Sequence, residues 1–419
     1  MVVFSHVGWV AGSVAQYLIP FIFVLTAVVF FHELGHFLIG RLCGVKIDSF
    51  SIGFGPELFA FVDRGGTRWR VAAIPLGGYV KFHGDLNAAS VPDPQALASM
   101  SRAERDVSFA GQPVWKRAAI VAAGPMASFL FAIAVFSATI FVSGQRILLP
   151  RVQVVPLACP ELATSLPARP DFAALDTPLY ASTQDYQLAQ NSAAEIAGFK
   201  PGDLVVSIDG KPIETFFDIQ SIVSMSADAA LTFEVQRGGS LVRLQATPRR
   251  AVVSTPFGKQ REARLGIQAS DDPADVRIER VGPVGAVALG TKKTWQILDV
   301  TATFLGRLFV GREAANQVSG PIGIAAMSGE MAKLGFDTLL NWAAILSASI
   351  GFFNLLPIPL LDGGHLLYFG IEAARGRPLS LRAQEVGFRI GLAIVALLMV
   401  FATSNDLIRY IPKIFGFTG

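Results

Sequence analysis

At 419 residues the chain is longer than one ordinary domain, and with 52% of its residues hydrophobic and only 16% charged it falls among membrane proteins. A formal net charge of +3 is too small to point to nucleic acid, so no nucleic-acid partner is expected. The two cysteines, Cys43 and Cys159, form no CxxC pair, which excludes a disulfide framework and a thiolate zinc site as organising features.

The first apolar run, from Tyr17 to about Leu42, is long enough to cross a hydrocarbon core about 30 Å thick. It lacks a basic leader and carries chemistry, so it is expected to stay in the mature chain rather than act as a cleaved signal peptide. Within it lies His32-Glu33-Leu34-Gly35-His36. Histidines four apart share one helix face with Cβ atoms about 6 Å apart, a spacing suited to two nitrogens on one tetrahedral Zn2+. Glu33 is then placed to act as a base toward water at the metal. Each ionisable group at bilayer depth costs roughly 2.5 to 3.5 kcal/mol, and a metal offsets that cost for all three at once. The bland alternative is a pair of hydrogen-bonded packing histidines in a helix bundle.

No Lys or Arg precedes this span, whereas Arg41, Lys46, Arg64, Arg68, Arg70 and Lys81 follow it. The positive-inside rule therefore puts the N-terminus outside and this loop in the cytoplasm. Within the loop, Phe50 to Val62 and Arg68 to Phe82 read as the arms of a β-hairpin around Arg64-Gly65-Gly66-Thr67. The apolar, glycine-rich Ala72 to Val80 suits a strand that dips into the membrane against other protein; a small cytoplasmic sheet on the helix ends is the alternative. Residues 85 to 113 read as a flexible or weakly helical surface segment. Ala118 to Val142 is the second span, with Gly124-Pro125 near its start permitting close packing and a kink.

Residues 145 to 282 change to polar, mixed strand patterns. Asn191 to Ile213 reads as a short helix stopped by glycine, then an alternating strand, then an Asp-Gly hairpin turn. That succession resembles the core of a bacterial PDZ domain, which implies peptide C-termini as ligands bound by strand addition. Between the opening strand, Val152 to Pro156, and Asn191 a proline-bearing stretch at about 157–190 reads as a surface insertion.

Ala286 to Val310 is a mixed, partly amphipathic stretch expected to lie at the outer interface rather than span. The third span runs from roughly Thr338 to Leu356 and is broken by Pro357 and Pro359 before Leu361-Asp362-Gly363-Gly364-His365. Broken helices at membrane depth line sites or cavities. Asp362 is the leading candidate for a third metal ligand, against the plainer reading that it caps the following helix; His365 is an extra candidate ligand or supporting donor. Arg375, Arg377 and Arg382 mark a second cytoplasmic loop, and a last span from about Val386 to Phe401 returns the C-terminus outside.

Taken together, His32-Glu33-Leu34-Gly35-His36, Gly77-Gly78-Tyr79-Val80-Lys81, Gly124-Pro125, the PDZ-like segment and Asn354 to Leu361-Asp362-Gly363 resemble the site-2 protease family of intramembrane zinc metalloproteases, more narrowly the bacterial regulators of sigma-E protease type. The resemblance covers nearly the whole chain. It implies a polytopic α-helical membrane protein of the bacterial inner membrane, with four transmembrane helices, a membrane-associated β-hairpin and a soluble periplasmic PDZ (α+β) domain. The expected divisions are 1–144, 145–282, an interfacial linker at 283–335, and 336–419.

The resemblance further implies that His32, His36 and Asp362 bind Zn2+, that Glu33 is the base, and that Asn354 helps hold substrate. The hairpin, with Gly77, Gly78 and Tyr79, would pair with an unwound substrate segment. Expected partners are single-pass transmembrane substrates such as anti-sigma factors, remnant signal peptides, peptide C-termini at the PDZ domain, and the lipid bilayer. Two departures stand out: Ser128 takes the place of the family's usual asparagine after Gly-Pro, which is expected to weaken a structural role there, and only one PDZ core is legible.

A reading from another class is a non-catalytic membrane scaffold with a peptide-binding PDZ domain and a structural metal, which would need four protein ligands. Ion or proton transport would need a polar path across all spans, whereas the polar groups cluster near the cytoplasmic side.

Overall fold

A computed structural model describes residues 2–85, 99–154, 192–255, 258–270, 272–309 and 319–414. The insertion at 157–190, with Cys159, lies outside the described residues, as does 86–98 of the surface segment. The chain forms two compact units, Met1–Ser143 with Val281–Gly419, and Gly144–Arg280.

The first unit is built on helices. Among the described residues four stretches are long and apolar enough to cross a membrane: Ala15–Leu42, Val114–Ser143, Phe336–Asn354 and Arg382–Ile408. The first lies in helix α1, Val2–Leu42. After it come strands β1, Ile47–Val62, and β2, Arg68–Phe82. Helix α2 is Val114–Ser143 and α3 is Pro283–Phe309. The C-terminal part supplies α4, Pro321–Leu334, α5, Phe336–Asn354, α6, Asp362–Arg375, and α7, Leu381–Ile414. The last span extends beyond both ends of the stretch expected from the sequence, because the polar residues flanking the apolar run continue its helix.

Helices α1, α2 and α5 pack face to face. On α5, Ala344, Ser347, Ala348 and Gly351 are all buried at helical spacing, and such small residues let apolar helices approach closely. Phe136 of α2 fills the seam beside Ala344 and Ala348, and Ser347 Oγ donates to the Ser128 carbonyl, 3.1 Å away. Val24 and Val28 of α1 meet Trp342 of α5. Helix α3 lies along α2, its Gly290 against Ser137 and its Lys293 ammonium 4.4 Å from the Phe136 ring centre. It is not among the four spanning stretches.

The hairpin begins at Ile47, three residues before the expected start, and is more than a hairpin. Ile47–Ile52 lies opposite Gly78–Phe82 on one side, with Ile52 facing Gly78, and opposite Arg68–Val71 on the other. Phe59–Val62 then lies outside Arg68–Val71. Each long strand therefore bends back, giving four ranks. Gly53 and Gly77 sit at the bends with φ of 87° and 132°, backbone angles that a side chain resists. Phe50 and Trp69 stack 4.3 Å apart and pack with Phe37 of α1, which seats the sheet on the end of the first span.

The second unit has its own core, including Val152, Phe199, Val205, Ile219 and Phe233. Its four-stranded sheet runs Lys211–Pro212, Leu204–Ile208, Leu231–Arg237, Ser240–Ala246 in spatial order. Ile208 pairs with Lys211 across Asp209-Gly210, both with positive φ, as a two-residue turn between right-twisted strands requires. Short helices Ala193–Ala197 and Phe216–Met225 each start with a capping box, Ser192 with Glu195 and Thr215 with Asp218.

Candidate metal centre

Helix α1 turns His32 and His36 toward α2, and both are buried. The helices touch here because the contact is made by glycines. A Cβ on Gly35 would overlap the Ala123 carbonyl, and one on Gly124 would overlap His36 Nε2 and come within 2.9 Å of His32 Nε2. Pro125 also removes the N–H that would otherwise bind the Val121 carbonyl, which loosens α2 where it meets the histidines.

Each ring is held from behind. His36 Nδ1 lies 2.9 Å from the Ile120 carbonyl, which can only accept, so Nδ1 carries the proton and Nε2 presents a lone pair. His32 Nδ1 lies 3.0 Å from Ser128 Oγ. The two Nε2 atoms face each other at 3.2 Å. Asp362, the first residue of α6, brings Oδ2 to 3.1 Å from His32 Nε2 and Oδ1 to 3.6 Å from His36 Nε2. Asp362 Oδ2 is buried without a hydrogen-bond partner.

The donor atoms of His32, His36 and Asp362 all lie within 4.8 Å of one another. Lone pairs and a carboxylate oxygen converging so closely repel unless a cation lies among them. Imidazoles that donate their far N–H to a carbonyl or hydroxyl are the normal arrangement of metal-bound histidine. The residues therefore fit a divalent metal held by two nitrogens and an oxygen, a set suited to zinc.

The cluster opens on a cavity of about 290 Å³. Glu33 lines it beside the two histidines, with the Val80 N–H facing its carboxylate. Asn354, the last residue of α5, and Gly77, Gly78 and Tyr79 of β2 also line it. The sheet approaches α1 closely at Gly78, where a Cβ would stand 2.7 Å from Val29 Cγ1 and 3.2 Å from Glu33 Cγ. His365 lines the cavity but is not part of the three-residue donor cluster.

Ser128 has a place behind the cluster. It is wholly buried, and its hydroxyl is the group that faces the far nitrogen of His32. Gly351 of α5 lies against it: a Cβ at 351 would come within 2.9 Å of Ser128 Cβ. Gly124, read from the sequence only as allowing close packing, makes room for both imidazoles; Ile120 was not foreseen at the site, because it acts through its backbone carbonyl, for which residue type gives no signal.

Comparison with known proteins places these motifs in a family. The profile of Peptidase family M50 matches residues 20–398. A protein of Rhizobium meliloti named "Putative zinc metalloprotease" is 46% identical over 394 residues, covering 94% of this chain and 96% of its own. Metalloprotease MmpA of Caulobacter vibrioides is 40% identical over 425 residues, covering 96% and 97%. Regulator of sigma-E protease RseP of Salmonella typhimurium is 32% identical over 462 residues, covering 95% and 99%.

Proposed function

The chain belongs to Peptidase family M50, and from that premise we propose that it hydrolyses peptide bonds inside the membrane-spanning segments of single-pass membrane proteins. It is a zinc-dependent metalloprotease of the site-2 type, with helices suited to a membrane. The observation that carries the finer reading is the position of the donor cluster. Two of its three donors lie on the first apolar span, and it opens into a cavity walled by a sheet edge and by the end of another span.

His32, His36 and Asp362 would hold the zinc ion, which when bound supplies Lewis-acid chemistry, acidifying a water and polarising the scissile carbonyl. Three donors facing a cavity suit a catalytic site better than a structural one, which is closed by four protein ligands. Glu33 takes the proton of the attacking water on its carboxylate and passes it to the departing amine.

A transmembrane helix hides its amides in its own hydrogen bonds, so a substrate must be extended and its freed groups paired again. Among the described residues the rank Gly78–Phe82 pairs with β1 on one side only, and it lines the cavity near Gly78, a position from which it can add an extended substrate strand. Asn354 and Tyr79 supply further polar groups to that strand. The unit Gly144–Arg280 serves as a PDZ domain that reads peptide C-termini. By charge bias it lies in the periplasm with both chain ends, while the metal lies toward the cytoplasmic side of the inner membrane. Anti-sigma factors and remnant signal peptides are the substrates this arrangement suits.

Glu33→Gln tests the assignment directly. The full-length variant in detergent is expected to keep its zinc, measured by metal analysis, and to cleave a membrane-embedded reporter at least about 100-fold more slowly. Unchanged turnover would remove Glu33 from the reaction.

A further inference from the structure

The turn that delivers Asp362 contains a residue in the wrong conformation for its type. The Leu361 N–H donates to the Ile358 carbonyl at 3.0 Å, closing a four-residue turn with Pro359 second and Leu360 third. Leu360 has φ of 92°. A turn with proline second and positive φ third normally carries glycine or asparagine there. The other non-glycine residues with positive φ among the described residues are both aspartates, which tolerate that region; a bulky aliphatic does not.

Packing enforces the turn from two sides. A Cβ on Gly391 of α7 would overlap the Pro359 carbonyl, and one on Gly364 of α6 would overlap the Ile358 carbonyl. The backbone path is thus set by its neighbours, and glycine at 360 would follow it without strain. Leucine at 360 thus holds a backbone angle that disfavours its type. Leu360 lines the same cavity as His32, Glu33 and Gly78, and it stands two residues from Asp362. Strain that persists at a site wall points to a use for the side chain there.

We propose that Leu360 is a specificity-determining residue, its isobutyl group closing the pocket that receives the substrate side chain next to the scissile bond. The class of substrate it selects has small side chains, such as alanine, at that position and excludes aromatic ones. The cavity of about 290 Å³ must hold an extended backbone as well as a side chain, so one leucine in its wall matters. The inference rests on the peptidase reading above.

The test uses full-length, zinc-loaded protein in detergent with transmembrane reporter peptides carrying alanine, leucine or phenylalanine beside the cleaved bond. The parent protein should cleave the alanine reporter in preference to the phenylalanine one. Leu360→Ala and Leu360→Gly should each reduce that preference in kcat/KM by about tenfold or more. Leu360→Gly should also unfold at a higher temperature, because it relieves the turn, and both variants should retain zinc. An unchanged preference in both variants, whatever happens to their stability, overturns the proposal. Loss of zinc from both variants also overturns it, by assigning the residue to the placement of Asp362. Absence of cleavage of every reporter by the parent protein would instead sink the peptidase reading itself.

Discussion

Two imidazole lone pairs and a carboxylate oxygen do not gather within a few ångströms of apolar protein by packing alone. Their approach at 3.1 to 3.6 Å, with each imidazole backed by a hydrogen-bond partner, fits a metal site at the scale of residues. That backing yields a prediction at the same scale. Ser128→Ala removes the hydroxyl behind His32 and leaves a buried Nδ1 with no protein partner there, so zinc affinity should fall about 10- to 100-fold. Competition with a chromogenic chelator measures it, and unchanged affinity would show that helix packing alone orients the ring. The motif His32-Glu33-Leu34-Gly35-His36 was legible because i, i+4 spacing on a helix settles which side chains share a face. The role of Ser128 was not, because the group that meets an imidazole's far nitrogen is decided by how α1 and α2 cross. The sequence carries that crossing only indirectly, in the small residues Gly35 and Gly124.

At the scale of elements, α2 is the frame on which the donors are gathered. It supports His36 through the Ile120 carbonyl and His32 through Ser128. It also grips α6, the helix that begins with Asp362. Arg117, near the start of α2, forms a two-pronged ion pair with Glu372 of α6 at 2.6 and 3.2 Å, and its guanidinium lies over the Phe369 ring. Both side chains are largely buried, and breaking such a pair costs roughly 3 to 5 kcal/mol because the partner is left charged and unpaired. Arg117→Ala should therefore lower the unfolding temperature of the full chain and weaken zinc binding, by letting α6 pivot about the turn at Ile358–Leu361. Arg117→Glu combined with Glu372→Arg should recover part of both, whereas Arg117→Lys, lacking the fork, should recover little. If the double reversal binds zinc no better than either single change, the pair does not position Asp362. Strand segments on either side of Arg64-Gly65-Gly66-Thr67 were readable from alternation and turn residues. The double-backed sheet was not, because the pairing of Ile47–Ile52 with both ends of β2 depends on bends at Gly53 and Gly77 that alternation does not encode.

At the scale of the whole molecule, the chain divides its stability between a helical unit and the unit Gly144–Arg280, each with its own apolar core. Span positions were legible because about twenty consecutive apolar residues have few alternatives, while the ends of the spans were not, since helices continue into polar flanks. In the second unit the short helix before Gly198, the strand that follows it and the Asp-Gly turn were legible, but its central ion pair joins residues 34 apart in sequence and is visible only when folded. Asp203 is buried with Arg237 Nε and Nη2 at 2.7 and 2.6 Å and the Lys200 N–H at 2.9 Å. Burial alone would raise its pKa, but the Arg237 guanidinium and the Lys200 N–H outweigh it and hold the carboxyl below the usual range. Glu234 is lowered too, by Arg243 and Ser207, though it is more exposed and screened. A carboxyl whose folded pKa is depressed stabilises the fold above its unfolded value, near pH 4, and that contribution fades as pH falls through the depressed value. The amides of Leu204–Ile208 and Leu231–Arg237 should therefore lose hydrogen-exchange protection as the pH falls below about 4 in the intact protein. Asp203→Asn should be less protected at neutral pH and show a flatter decline over that range. Parallel declines in the two proteins would mean that other carboxylates, and not this pair, govern the acid response of the unit.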